Sequence, residues 1–188
     1  FETEELVANI KDYLKSNNIK APKILDLGCG SGVIGLTLKK FFPNATVTLT
    51  DISDAALEVA KTNARNLNLN VNFFQSDWFT SIPIEKYDVI VSNPPYIKTN
   101  EEIEEIVRNN EPHLALYAGI DGLDSYRNIL KDINKYLNKT FLLAFEIGYE
   151  QGEYLYKLVN DTFENVTITI KKDLSNKDRM LFVEKNSD

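Results

Sequence analysis

The sequence predicts an α/β protein with an open, mostly parallel β-sheet, helices on both faces and an antiparallel hairpin at the C-terminus. Three observations lead to this prediction. Short β-branched or apolar runs alternate with stretches whose apolar residues recur at helical spacing, which is the order of βα units. A glycine-rich segment directly follows the first run, as at a strand-to-helix turn. The last two runs, 166–170 and 180–183, are too close for a crossover helix and must pair antiparallel.

The predicted elements follow one another with short connections. Apolar residues recur at helical spacing in the first helix, and Pro22 prevents its continuation. Pro43 ends the second helix, whereas Ser53 is the predicted N-cap of the third, with Asp54 favourably placed in its first turn. The predicted helices are 4–16, 33–42, 54–66, 101–108, 124–136 and 149–161. The predicted strands are 23–27, 45–50, 70–74, 86–91, 140–145, 166–170 and 180–183.

Length and charge restrict the class of protein. A chain of 188 residues favours one domain, and it is long enough to bury a core without metal or disulfide staples. Its 28 acidic and 21 basic residues give a net charge of −7, so we expect no direct nucleic-acid partner. No apolar run approaches the length of a membrane helix, and the single Cys29 excludes an internal disulfide. We therefore expect a cytoplasmic monomer that does not bind membranes.

Four chemically distinctive features fall at the ends of predicted strands. They are the glycine-rich loop 28–32, Asp51, Asp77 with Trp78, and the segment 93–96. Ligands of open α/β sheets bind beyond the carboxyl ends of the strands. The predicted fold therefore collects features that are far apart in the chain on one edge of the sheet.

The first three features describe a site for an adenosine. The segment Asp26-Leu27-Gly28-Cys29-Gly30-Ser31-Gly32 lacks the glycine at position 33 that the dinucleotide fingerprint requires, and it has no P-loop lysine. A structural turn is the alternative for this loop. Asp51, which Ile52 follows, lies roughly 20 residues further on, where a carboxylate accepts from ribose hydroxyls. Asp77 and Trp78 suit an adenine amine and ring. The set predicts an adenosine ligand without phosphate recognition, such as S-adenosylmethionine.

The segment Asn93-Pro94-Pro95-Tyr96 predicts a site for a planar –NH2 group. Proline has no N–H, so Pro94 and Pro95 offer only carbonyl acceptors, and each restricts the residue before it. The Asn93 side chain adds a carbonyl and an amide donor, and Tyr96 adds a flat face. A stiff cluster of acceptors is complementary to a carboxamide or a base amine; the alternative is a rigid structural loop.

Holding both N–H groups of an amide orients a nitrogen that is otherwise a poor nucleophile. The corresponding reaction is an in-line displacement at a sulfonium methyl group, which needs positioning and electrostatics rather than a covalent enzyme intermediate. The sequence offers no His or Cys cluster for a metal, so we predict none.

Several stretches together resemble a known family. The glycine loop resembles the first motif of class I S-adenosylmethionine-dependent methyltransferases, which have a Rossmann-like fold, and Asn93–Tyr96 resembles the amino-methyltransferase motif. Stretches that narrow the resemblance to HemK/PrmC-type peptide chain release factor glutamine methyltransferases are ETEELV at 2–7, EPHLALY at 111–117, DGLDSYR at 121–127, EIGYEQG at 146–152 and KDLSNKDR at 172–179.

The resemblance implies N5-methylation of the glutamine in the Gly-Gly-Gln motif of a release factor, with S-adenosylhomocysteine as the second product. Asn93, Pro94 and Tyr96 would be catalytic, and Pro95 would complete the substrate contact. Glu111 and Glu146 are further candidates for the substrate pocket. The residues that would hold the cofactor are Asp26, Gly28, Gly30, Gly32, Asp51, Ile52, Asp77, Trp78 and Asn93. For His113 the structural or exposed interpretation is preferred.

Family members usually carry a small helical N-terminal domain that helps to hold the release factor. The chain lacks an initiator Met, and we expect residues 1–188 to be a catalytic domain that begins after that segment. Two other functions stay open. The acceptor cluster also suits a DNA adenine, an rRNA guanine or a ribosomal protein glutamine, and an adenosine site is also compatible with a non-catalytic binding module.

Overall fold

The computed structural model describes residues 2–96 and 119–186. The described residues form five α-helices, a 3-10 turn at Ile133–Lys135 and seven strands. The helices are α1 Glu2–Ser16, α2 Val33–Phe41, α3 Asp54–Asn66, α4 Asp124–Asp132 and α5 Gly152–Thr162. The strands are β1 Lys23–Leu27, β2 Thr46–Asp51, β3 Asn72–Gln75, β4 Tyr87–Ser92, β5 Leu137–Glu146, β6 Thr167–Lys172 and β7 Asp178–Lys185.

The seven strands form one sheet in the order β3-β2-β1-β4-β5-β7-β6. The first five strands of this order pair in parallel, whereas β7 is antiparallel to both β5 and β6. The predicted fold class and the C-terminal hairpin are therefore confirmed. The order reverses between β1 and β4, and in open α/β sheets a crevice for ligands opens at such a reversal.

Helices cover both faces of the sheet, as predicted. Successive residues of a strand point to opposite faces, and Val89 and Ile90 of β4 accordingly belong to different hydrophobic cores. The core that contains Val89 includes residues of α1, α2 and α3, and the core that contains Ile90 includes residues of α4 and α5. Near-continuous apolar strands such as β4 are buried on both sides, which fixes their direction and height in the sheet.

Most predicted boundaries differ from the observed ones by one or two residues. The exact matches are β1 and α3, and in α3 the Ser53 hydroxyl accepts from the Ala56 N–H at 3.2 Å and caps the helix as predicted. Three boundaries were wrong by three or four residues: β5 begins at Leu137 rather than 140, α5 begins at Gly152 rather than 149, and α4 ends at Asp132 rather than 136, because the chain tightens there into the 3-10 turn Ile133–Lys135. The predicted helix 101–108, together with Glu111 and His113, lies outside the described residues.

Candidate active site

The register of the sheet brings the predicted site residues to one edge. Leu27 of β1 pairs with Thr50 of β2 and with Ser92 of β4, and Ser92 pairs in turn with Phe145 of β5. The residue that directly follows each of these four paired positions is a predicted site residue. These residues are Gly28, Asp51, Asn93 and Glu146. Because neighbouring strands are about 4.8 Å apart, the four positions lie within roughly 15 Å of one another.

The glycine loop between β1 and α2 is fastened to β2. The Cys29 N–H donates to the Thr50 carbonyl at 2.8 Å, and the Gly30 N–H donates to Asp51 Oδ2 at 2.8 Å. Gly28, Gly30 and Gly32 have φ values of 67°, 54° and 80°, so the loop follows a left-handed path that favours glycine. Burial raises the pKa of the Cys29 thiol, which therefore stays protonated at neutral pH.

Asp51 orders the loop that it faces. In addition to the Gly30 contact, its Oδ1 accepts from the Ser53 N–H at 2.9 Å, so both oxygens hold backbone groups. Each carboxylate oxygen has a second acceptor position, which leaves capacity for hydroxyl donors. The sequence predicted a ligand contact for Asp51, but the structural role of joining two loops was missed because it depends on the β1–β2 pairing.

Asp26 lies beneath the same loop and is fully buried. Its Oδ2 accepts from the Gly35 N–H of α2 at 2.9 Å, and its Oδ1 has no hydrogen-bond partner among the described residues. Burial raises the pKa of the Asp26 carboxyl to about 7; the Gly35 N–H opposes this rise and the neighbouring Asp51 adds to it. An unpaired buried acceptor next to the glycine loop favours a cation or a proton there.

Asp77 and Trp78 lie in a turn rather than closing β3 as predicted, since the strand ends at Gln75 and Ser76 intervenes. The Ser76 hydroxyl stabilises this turn by donating to the Trp78 carbonyl at 2.9 Å. The Trp78 ring lies close to the loop, because a Cβ added to Gly28 would lie 3.7 Å from its Cζ3. Asp77 is exposed, and Ile52 is 52% exposed at the same edge.

The segment Asn93–Tyr96 directly continues β4 at the reversal point. The Ser92 hydroxyl donates to the Leu27 carbonyl at 2.6 Å, which ties this segment to the end of β1. Pro94 is buried, and Asn93, Pro95 and Tyr96 are half-buried. The Asn93 side chain makes no hydrogen bond to the described residues, so its amide carbonyl and NH2 are available to a ligand.

Glu146 ends β5 and is buried, with 4% of its surface exposed. Its Oε2 accepts from the Thr3 hydroxyl at 3.3 Å, and its backbone carbonyl accepts from the Tyr126 hydroxyl at 2.8 Å. The structure therefore brings Glu146 to the predicted edge, where it also contacts the first turn of α1. Glu111, the other predicted substrate contact, lies outside the described residues.

Sequence reasoning missed Gln151. This side chain is 4% exposed and contacts the carbonyl of Tyr96, the carbonyl of Gly122 and the N–H of Gly148. Nothing in a single sequence distinguishes it from a surface glutamine at a helix start, because two of its three partners, Tyr96 and Gly122, come from distant segments.

Residues 3–115 match the sequence model of the methyltransferase small domain family. A release factor glutamine methyltransferase from Lactococcus lactis subsp. lactis is 39% identical over 184 residues, which cover 97% of this chain and 67% of that protein. This chain belongs to the release factor glutamine methyltransferase family.

A family member from Streptococcus pneumoniae is 43% identical over 189 residues, which cover 100% of this chain and 66% of the relative. The chain thus spans about two thirds of the length of the relatives it matches. A solved structure of the release factor-specific protein-(glutamine-N5) methyltransferase from Alicyclobacillus acidocaldarius superimposes with a TM-score of 0.63. It is 23% identical and covers 99% of this chain and 93% of its own, a likeness that shows the fold of the family.

Residues 2–96 and 119–186 contain no helix that is long and apolar enough to cross a membrane. Within the same ranges, no group of three or more His, Cys, Asp and Glu side chains is arranged to hold a metal ion.

Proposed function

We propose that this protein transfers a methyl group from S-adenosylmethionine to the side-chain amide nitrogen of the glutamine in the Gly-Gly-Gln motif of peptide chain release factors. One observation carries the proposal. The pairing of Leu27 with Ser92, reinforced by the 2.6 Å hydrogen bond from Ser92, places the glycine loop and Asn93 on adjacent strand ends. A donor held by the loop and an amide held by Asn93 would therefore meet within one strand spacing.

The residues present fit S-adenosylmethionine. The buried Asp26 has an unpaired Oδ1 beneath the loop, so a ligand that carries ammonium and sulfonium charges would stabilise the ionised form of this carboxyl and be attracted by it. A Cβ added to Gly30 would meet nothing within 4 Å, so the loop faces open space. Asp51 has free acceptor positions for ribose hydroxyls, and Ile52 and Trp78 offer apolar surface for the adenine, with Asp77 near its amine.

When bound, S-adenosylmethionine supplies an electrophilic methyl group on a positively charged sulfur. The protein has to hold the acceptor nitrogen in line with that group. The Asn93 side-chain carbonyl and the Pro94 backbone carbonyl would each accept one N–H of the substrate amide, and this fixes the nitrogen and exposes its lone pair. The Tyr96 ring, which packs beside Gly148, would cover one side of the amide and exclude water. The amide nitrogen loses one proton after transfer, and water can accept it.

A release factor glutamine is preferred over a nucleobase because of charge and family. A net charge of −7 repels a phosphate backbone, whereas a glutamine side chain carries no charge. Three of the relatives, with identities of 43%, 36% and 39%, are named release factor glutamine methyltransferases. A ribosomal protein glutamine has the same amide chemistry and is the second candidate.

We also propose that residues 1–188 constitute one S-adenosylmethionine-binding catalytic domain, since the two hydrophobic cores and the described site residues at the edge of the sheet lie within it.

The test is incubation of the complete gene product with isotopically labelled S-adenosylmethionine and a release factor, followed by peptide mass spectrometry. We expect one methyl group on the motif glutamine and none on a release factor in which this glutamine is replaced by glutamate. Label on ribosomal proteins but not on the release factor would favour the second candidate. If neither the release factor nor the ribosomal proteins carry label, the proposed function is overturned.

A further inference from the structure

The Gln151 side chain joins three segments at the active-site edge. Its Nε2 donates to the Tyr96 carbonyl at 3.0 Å and to the Gly122 carbonyl at 3.0 Å. Its Oε1 accepts from the Gly148 N–H at 2.9 Å. Both amide hydrogens are thus used, and the amide connects the residues after β4, before α4 and after β5.

The packing around this amide leaves little room for movement. Gly122 has a φ of 75°, and a Cβ added there would lie 2.5 Å from the Tyr96 oxygen and 2.7 Å from Gln151 Nε2. A Cβ added to Gly148 would lie 3.1 Å from the Gln151 side chain and 3.3 Å from the Tyr96 ring. A change at any of these positions must therefore displace Tyr96 or Gln151.

Tyr96 is the far end of the segment that we propose to hold the substrate. The near end is fixed by the hydrogen bond from Ser92 to the Leu27 carbonyl. Pro94 and Pro95 lie between these ends and have restricted φ angles, so a shift at either end is transmitted along the segment. The position of the Asn93 amide and the Pro94 carbonyl then depends on how both ends are attached.

We propose that Gln151 is a positioning residue for methyl transfer, which holds Asn93–Tyr96 at the correct distance from the cofactor loop. The inference rests on the proposed function. The three hydrogen bonds of the Gln151 side chain go to Gly148, Tyr96 and Gly122 and not to the glycine loop or Asp51, so we expect cofactor binding to be retained without them. Its loss lets the acceptor segment shift, and a displacement of about 1 Å costs on the order of 100-fold in rate.

The experiment uses the complete gene product with two substitutions at this position. Q151M keeps the length of the side chain but forms none of the three hydrogen bonds. Q151E keeps the shape, yet its ionised carboxylate cannot donate to the Tyr96 and Gly122 carbonyls. The matched control is N138D, because Asn138 Nδ2 donates to Asp88 Oδ1 at 2.7 Å near the opposite, amino-terminal end of β4. Calorimetric titration with S-adenosylhomocysteine counts the binding-competent molecules, and kcat is expressed per competent molecule.

We expect kcat to fall about 10- to 100-fold in both Gln151 variants, with the Kd of S-adenosylhomocysteine within about 3-fold of wild type. The Q151E activity should recover relative to Q151M between pH 8 and pH 6, because a protonated carboxyl regains one donor. N138D should keep wild-type kcat even if its melting temperature falls.

Wild-type kcat in both Gln151 variants would overturn the inference, as would a parallel loss of cofactor affinity. If both fail to fold, G122A supplies a second test, since its added methyl group would lie 2.5 Å from the Tyr96 oxygen and 2.7 Å from Gln151 Nε2 and must disturb the contact between them. An inactive wild-type protein would instead count against the proposed function, so the two failures are distinguishable.

Discussion

At the scale of single residues, the two aspartates below and beside the glycine loop differ in their surroundings. Asp51 is half-buried, and both of its oxygens accept from backbone N–H groups. Asp26 is fully buried and one of its oxygens has no partner among the described residues. Burial without a partner for its second oxygen favours the protonated form of the Asp26 carboxyl.

This difference predicts a pH dependence of stability. Burial raises the pKa of Asp26 to about 7 in the folded protein, above its ordinary value of 3.8. The folded state therefore binds the proton more tightly, and the contribution of Asp26 is largest at low pH and is lost as the pH rises to about 7. The free energy of unfolding of the wild type, relative to D26N, should fall between pH 5 and pH 7 by roughly 2–3 kcal/mol.

Urea unfolding of both proteins across this range, without cofactor, gives the comparison. N138D serves as a second reference, because it alters a carboxylate contact far from Asp26. A difference between wild type and D26N that stays constant with pH would show that the Asp26 carboxyl keeps its ordinary pKa.

Replacement of Asn93 tests whether turnover can be lost while cofactor affinity is kept. Replacing Asn93 by Ala removes one of the two acceptors proposed for the substrate amide, whereas the loop and Asp51 keep their hydrogen bonds. We expect turnover to fall by on the order of 100-fold or more, with the affinity for S-adenosylhomocysteine retained. Single-turnover kinetics and calorimetry measure the two quantities separately. A collapse of cofactor affinity would contradict this division of roles.

At the scale of elements, boundaries follow local signals where these exist. The observed α3 coincides with its predicted range because Ser53 caps it and Asp54 favours its first turn. By contrast, α5 begins at Gly152 because the four residues before it form a turn around the buried Gln151 side chain. The helical periodicity of apolar residues extends back through this turn, so it cannot show where the helix begins.

The predicted lengths of the two hairpin strands, β6 and β7, were too short for a related reason. Lys171 and Lys172 belong to β6 although they are exposed, since β6 is an edge strand that pairs only with β7. Pairing continues as long as the backbone groups match, whether or not the side chains are apolar. A prediction from apolar runs therefore ends such strands too early.

The glycine loop offers a test of element geometry. Gly30 and Gly32 both have positive φ, but a Cβ at Gly30 meets nothing within 4 Å, whereas at Gly32 it lies 3.0–3.2 Å from Leu49, Leu36 and Ala60. Gly30→Ala should cost about 1–2 kcal/mol of stability from the backbone strain alone. Gly32→Ala should cost more, because side chains of the core must also move.

Thermal and urea unfolding of the two variants compare these costs directly. The two substitutions add the same methyl group to the same loop, so each controls for the other. Equal destabilisation would mean that the core around Gly32 accommodates the methyl group without a penalty.

At the scale of the whole molecule, the parallel βα order follows from the sequence, because each βα unit carries its own signal, whereas the reversal between β1 and β4 appears only in the structure. The placement of β7 between β5 and β6 does not follow from the sequence either, since it depends on which edge the hairpin meets. The candidate site divides in the same way. The positions of Asp51 and Asn93 at strand ends can be predicted from the sequence, while two of the three contacts of Gln151 exist only after the remote segments of Tyr96 and Gly122 have packed.

Ligand binding should stabilise the whole fold. A ligand present at 100 times its Kd raises the free energy of unfolding by about 2.7 kcal/mol. S-adenosylhomocysteine should therefore raise the melting temperature of the wild type and of N93A by similar amounts. D51A should show a much smaller rise, because it loses both the acceptor for the ligand and the contact that orders Gly30. A full rise in D51A would remove Asp51 from the cofactor site.

The strand reversal between β1 and β4 also separates the chain into two consecutive parts. Everything proposed to hold the methyl donor precedes Tyr87, apart from Asn93, and the acceptor segment Asn93–Tyr96 follows it. The connection at 82–86 between these parts is exposed apart from Ile82. Recombination between family members at this connection would exchange the acceptor half in one step while keeping the donor half. The fold thus provides a natural crossover point at which new methyl acceptors can arise without rebuilding the cofactor site.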